Sequence, residues 1–196
     1  MNSTADFFHS LTFFIITVFG FYQQEKVQFS YLGLLHESEY AAAAFEAKGI
    51  WNKKCGQLTA SGRPITYAVY CSVLEIGLKP SEKKILSKRN ETITVTKIIT
   101  SDVYEVLLSW KESKQILKGE KKLIRFLERR FIFPVVPLDA MKEEMLYSFY
   151  LEIKPVFESD YLRENRLTPQ ALWNNQHLTH SFPLTGKNGL LNKPEK

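Results

Sequence analysis

The apolar positions of this chain fall mostly at helical spacing. Ile65–Lys79 (ITYAVYCSVLEIGLK) is almost wholly apolar over about four turns and holds one acid, Glu75, before Lys79-Pro80. A segment apolar on nearly every face predicts a core helix, ended where the residue before a proline leaves the helical region. His36–Lys54 carries Ala41–Ala44 behind Glu37 and Glu39, which predicts a helix with its acids at the favourable end. Three more helices are predicted. Val103–Ser113 starts at the Ser101-Asp102 cap and lines up Val103, Val106, Leu107 and Trp110; Glu120–Arg130 places Leu123, Ile124, Phe126 and Leu127 inward; Ala140–Lys154 buries Met141, Met145, Phe149 and Leu151.

Strand patterns are fewer. Glu91–Thr100 (ETITVTKIIT) is rich in threonine and isoleucine with partial alternation, and predicts a short strand. Val27–Leu35 is compatible with a strand returning from a turn at Gln23–Lys26. Cys55–Pro64, with Gly56, Ser61, Gly62 and Pro64, reads as a loop. Phe131–Leu138 (FIFPVVPL) reads as an extended linker or buried loop. The expected fold is therefore mainly α, a helical bundle with a small β element over residues 11–35 and/or 91–100. One globular domain over 1–167 is expected, then a loose C-terminal tail over 168–196 with Pro169, Pro183, Gly186, Gly189 and Pro194.

Phe7–Tyr22 (FFHSLTFFIITVFGFY) admits three readings. A cleaved signal fits poorly, because no Lys or Arg precedes it and Asp6 is acidic. A membrane anchor is strained, since Leu11–Tyr22 falls short of the roughly 20 residues of a span. A buried core element suits its Phe, Ile, Thr and Val content best.

Charge narrows the partner. The whole chain carries +5, but Lys83–Arg130 holds thirteen Lys/Arg against six acids, a local surplus of seven that leaves −2 elsewhere. The expected binding residues are Lys83, Lys84, Lys88, Arg89, Lys118, Lys121, Lys122, Arg125, Arg129 and Arg130. Such a surplus suits nucleic acid or an acidic protein, and reads equally as a solvated helical face. Two cysteines, Cys55 and Cys71, make no disulfide framework and fit a reducing, cytoplasmic setting. The alternative setting is the cytoplasmic face of a membrane, reached through residues 7–22. The aromatic N-terminal region also suits a contact between copies of the chain.

No catalytic or metal-binding set is expected, and no cofactor. The chain lacks a P-loop, a Rossmann glycine fingerprint and a nucleophile elbow. His177-Leu-Thr-His180 has no cysteine or nearby acid to complete a zinc set. The sequons at Asn2 and Asn90 are short enough to occur by chance. Glu75 is expected to pair with Lys79 one helical turn on, or with Arg63 or Arg89. An enzyme acting on nucleic acid through Glu75 and Arg89 is the weakest of the functional readings.

One segment resembles a known family. EYAAAAFEAKGIW, a Pro-containing loop and an apolar helix ending in LEIGLK are similar to the first two helices of HEPN-type domains, small all-α bundles of RNA-associated and defence proteins. Leu74, Glu75, Leu78 and Lys79 carry the likeness, which covers Ser38–Asn90. The resemblance implies a helical, RNA-associated protein. Ribonuclease members carry Arg, four to six residues, then His, and no arginine here has a histidine at that distance. It therefore implies a non-catalytic member.

Overall fold

The computed structural model describes residues 26–77, 83–111, 113–156, 172–173, 176 and 178–192. Its elements run β1 (Gln28–Glu37), β2 (Tyr40–Lys48), α1 (Lys53–Ala60), β3 (Ile65–Ile76), β4 (Lys83–Ile98), β5 (Val103–Leu108), β6 (Ser113–Lys118), α2 (Glu120–Leu127), β7 (Phe131–Pro137), β8 (Leu146–Val156), β9 (Leu178–Thr185) and β10 (Leu191–Asn192). The strands form a four-stranded sheet, ordered β10-β1-β2-β7, and a six-stranded sheet, ordered β6-β5-β4-β3-β8-β9. Every pairing is antiparallel except the two-residue β10, which runs parallel to β1.

The expected helical bundle is thus overturned, and with it the likeness to HEPN-type domains. Both of the helices that carried that likeness are strands. Ile65–Ile76 is β3, and Ile65, Tyr67, Val69, Cys71 and Val73 alternate inward along it. Its near-continuous apolar pattern arises because β3 is central in its sheet, paired with β4 and β8 along almost all its length. The residues Ile, Thr, Tyr and Val suit that pleated surface better than a helix. Ala41–Ala44 lie in β2, between β1 and β7, where both faces are buried from Ala41 to Phe45. Alanine's helix preference is worth only tenths of a kcal/mol per residue, and burial outweighs it.

Three further expectations change in the same sense. Val103–Leu108 is β5, with Tyr104, Val106 and Leu108 inward, and only Ser109–Lys111 makes a 3₁₀ turn. Leu146–Val156 is β8, burying Tyr147, Phe149, Leu151 and Ile153. Phe131–Pro137, expected as linker or loop, is β7; its Pro134 and Pro137 are exposed on a sheet edge, where a missing N–H costs no ladder bond. The expected strand over Glu91–Thr100 is present as the second half of β4, and the helix expected over Glu120–Arg130 is present as α2.

The segment expected as a loop over Cys55–Pro64 contains α1. Asn52 Oδ1 accepts from the N–H groups of Lys54 (2.9 Å) and Cys55 (3.1 Å), a cap strong enough to start a helix that contains Gly56. Gly62, at φ 80°, turns the chain out of it. One core joins both sheets, with Leu34, Phe45, Phe131 and Phe133 from one and Tyr67, Ile93, Val106 and Phe149 from the other. Within it Ile50 O accepts from Tyr67 Oη (2.9 Å) and Trp173 Nε1 (3.1 Å). Residues 7–22 and Lys79 lie outside the described residues, as do 168–171, 174–175, 177 and 193–196 of the expected tail; its described part holds β9, β10 and the buried Leu172 and Trp173. No helix among the described residues is long and apolar enough to cross a membrane.

Candidate functional site

The ten expected basic residues do not form one surface. Lys83, Lys84, Lys88 and Arg89 are exposed on the first half of β4. Lys118 stands level with Val103 and hence with Ile98. From Lys88 to Ile98 along β4 is roughly 33 Å, so the two groups occupy opposite ends of the six-stranded sheet.

Arg129 and Arg130 are engaged in packing. The Arg129 guanidinium lies 3.7 Å from the Phe126 ring centroid and 5.5 Å from that of Phe131. Arg130 lies 3.9 Å from the Tyr31 ring and donates from Nε to Glu46 Oε1 at 2.9 Å. These contacts fasten α2 to the four-stranded sheet and tie β7 across to β1 and β2, and cation–π contacts of this kind contribute about 0.5–1 kcal/mol each.

What is left is compact. Lys118 ends β6, and Lys121, Lys122 and Arg125 project from the exposed face of α2, whose Leu123, Phe126 and Leu127 are buried. None of the four makes an ion pair among the described residues. Lys118/Lys122 and Lys121/Arg125 are each four positions apart in sequence, and the second pair repels across one turn of α2.

Beside this face lies a cleft of about 520 Å³ between α1 and α2. Lys53, Gly56, Gln57 and Ala60 of α1 form one wall, Glu120 and Ile124 of α2 the other, with Lys97 and Tyr104 on its β4–β5 side. Trp51 Nε1 donates to Glu120 Oε1 at 2.8 Å, and the Trp51 ring meets Tyr104 edge-to-face at 5.9 Å. Gly56 permits this approach, because a Cβ there would stand 2.9 Å from Glu120 Oε1. Burial pushes the Tyr104 hydroxyl's pKa up, while Lys97, whose ammonium sits 5.4 Å from the ring, pulls it down.

A larger space of about 770 Å³, between β1 and β9, is lined mainly by apolar groups such as Leu32, Leu34, Phe182 and Leu184, with Glu143 and His180 at its margin. It lacks a convergent set of charges. Of the cleft residues, sequence reading counted Lys97 in the basic span and Glu120 in a helix, but singled out neither. The adjacent Lys53-Lys54 after a capping asparagine was the one signal pointing there.

Glu75 pairs with neither Arg63 nor Arg89 in an ion pair. Lys142 Nζ lies 3.2 Å from its Oε1, and the Glu75 side chain keeps only 13% of its exposure. The partner comes from the β7–β8 connection, sixty-seven positions away. Among the described residues no group of three or more His, Cys, Asp or Glu side chains is placed to hold a metal ion. His180 is exposed on β9, and His177 lies outside the described residues. Compared with known proteins, the chain matches no family model, no curated protein and no solved structure. No family relationship therefore stands behind the HEPN-type likeness or a nucleic-acid role.

Both cysteines are buried thiols. Burial pushes Cys71 up from 9.0 to about 12, with Glu91 adding and Arg89 opposing, and burial also raises Cys55. Tyr67, fully buried, is raised well above its ordinary value by the same cause. The folded chain therefore keeps protons that the unfolded chain releases. This stabilising contribution is complete below pH 9 and is lost as pH rises from 9 towards 12. Urea midpoints should fall in that window, each group contributing up to ~1.4 kcal/mol per pH unit, and Cys71→Ala should flatten the decline. An unchanged slope in that variant would remove Cys71 from the account.

Proposed function

We propose that this protein is a non-catalytic binding module that engages a polyanion, nucleic acid or an acidic protein, through Lys118, Lys121, Lys122 and Arg125. The supporting observation is the cluster itself: four exposed cations within one β6–α2 junction and no counter-ion among the described residues. Like charges held this close repel, and a multivalent anion relieves that repulsion while releasing its own counter-ions. Glu120, in the same helix and bonded to Trp51, and Asp102, whose Oδ2 lies near Gly119, set two acids against the four cations and leave a local surplus of two.

Fluorescence anisotropy with single-stranded RNA, duplex DNA and polyglutamate tests the reading. Binding should appear at low salt. For DNA, about three or four phosphate contacts predict a log–log salt slope between roughly −2 and −4. Reversing three charges together (K121E, K122E, R125E) should weaken binding by at least about tenfold, equivalent to ~1.4 kcal/mol. The same reversal at Lys83, Lys84 and Lys88 should change it by less than about twofold. Absence of binding to all three polyanions at low salt, or equal losses from the two reversals, sinks the proposal.

A further inference from the structure

We infer that the cleft between α1 and α2 is a binding site for a small phosphorylated molecule bearing an N–H or O–H donor. The inference is independent of the polyanion reading, because the residues that carry it face the cleft and not the exposed side of α2.

Size permits it: about 520 Å³ lies within the roughly 300–1,000 Å³ usual for small-ligand sites. The lining sets two cations, Lys53 and Lys97, against one carboxylate, Glu120, a net charge of +1 that favours an anion. Lys53 and Lys97 line the same cleft, and neither makes an ion pair among the described residues. Lys97 is half-buried, with the Tyr104 ring and hydroxyl as its neighbours and no carboxylate paired to it among the described residues. An ammonium so placed has lost part of its hydration without gaining a counter-ion.

Local rules are broken around the cleft in a consistent direction. The first turn of α1 holds no acid, and Lys53 stands at the positive end of the helix. Gly56 stands inside that short helix, where glycine is unfavourable, and the space it leaves is occupied by the Glu120 carboxylate. Gly56 is accounted for by the Glu120–Trp51 bond, whereas Lys53 at the positive end of α1 gains no ion pair among the described residues, and an unfavourable local choice beside a cavity is what a site produces. A phosphate seated between Lys53 and Lys97 would satisfy both cations.

The donor requirement comes from Glu120. Its Oε1 is taken by Trp51 Nε1, which fixes the carboxylate at the cleft wall, while Oε2 makes no hydrogen bond among the described residues. A ligand reaching Glu120 must offer it a proton, because a second acceptor there would be repelled. Ile124 and Tyr104 add apolar contact.

Titration of the full chain with adenosine monophosphate, adenosine and inorganic phosphate, followed by calorimetry, is the test. The monophosphate should bind saturably at sub-millimolar concentration, and each of the other two at least about tenfold more weakly. Lys53→Met, at an exposed position where the fold does not depend on the side chain, and Lys97→Met should each weaken the monophosphate about tenfold or more. Glu120→Gln retains an oxygen for Trp51 Nε1 and should weaken the monophosphate while leaving phosphate binding equal or tighter, since a repelling charge is removed. Three results overturn the inference: no saturable binding of the monophosphate, binding indifferent to both lysine substitutions, or phosphate alone binding as tightly with no effect of Glu120→Gln.

Discussion

Trp173→Ala is expected to lower unfolding free energy by about 3–5 kcal/mol, a large part of the 5–15 kcal/mol typical of a domain. Trp173 is 2% exposed and lies near-parallel to Tyr67, with ring centroids 5.8 Å apart and planes inclined by 17°. Its Nε1 donates to Ile50 O, the carbonyl that also accepts from Tyr67 Oη. The neighbouring Leu172 O accepts from Asn52 Nδ2 at 2.7 Å. Residues 172–173 are therefore clamped to the turn that starts α1, and truncation opens a cavity beneath that turn. Trp173→Phe keeps a ring there and leaves Ile50 O with the Tyr67 bond, so it should cost only about 1–2 kcal/mol. Urea denaturation measures both. A loss below about 1.5 kcal/mol for the alanine variant would show that the stack does not support the core.

Gly186→Ala should be comparably severe, about 3–5 kcal/mol. Gly186 joins β9 to the 3₁₀ turn before β10, at φ 53° and ψ −163°, a combination almost confined to glycine. Its N–H donates to Met145 O at 2.7 Å, which ties the turn to the start of β8. An added Cβ would overlap the Glu143 carbonyl oxygen, a backbone atom that cannot rotate away. Gly62 provides the comparison. It also has positive φ, 80°, but its added Cβ would meet the end of the Ile99 side chain at 2.7 Å, which can move. Gly62→Ala should therefore cost only about 1–2 kcal/mol. If thermal unfolding shows equal losses at the two positions, backbone crowding at Gly186 is not the cause.

The strands of this protein are legible in retrospect at β8. Leu146–Val156 alternates Tyr147, Phe149, Leu151 and Ile153 inward with Ser148, Tyr150, Glu152 and Lys154 outward. That period-2 pattern competes with a helical reading because Met141, Met145 and Phe149 also fall at helical spacing. β3 and β2 were harder. An apolar run without alternation fits a buried strand and a buried helix equally, and only length and β-branched content separate them. The β1–β2 hairpin gave a weak signal too. Its two-residue turn, Ser38-Glu39, places Ser38 at φ 51°, where Asn-Gly or Asp-Gly would have announced it.

The site was less legible than the fold. Counting charges along Lys83–Arg130 treated a linear span as a surface. A strand of sixteen residues carries four of the thirteen cations, Lys83, Lys84, Lys88 and Arg89, away from the rest. Arg129 and Arg130 look as free in sequence as Lys121 and Lys122, and differ only in the aromatic rings that the fold brings beneath them.

By itself the sequence determined a folded chain with a bulky aromatic core, one strand over the second half of β4, one amphipathic helix at α2, and a cationic stretch around it. Those features depend on neighbours within a few residues, through propensity, capping and periodicity. Tertiary structure alone decided that the long apolar runs are strands, that Glu75 meets Lys142, and that Trp51, Lys97 and Glu120 share one cleft. Each of those outcomes depends on groups far apart along the chain, and burial between two sheets outweighs the tenths of a kcal/mol by which a local segment prefers a helix.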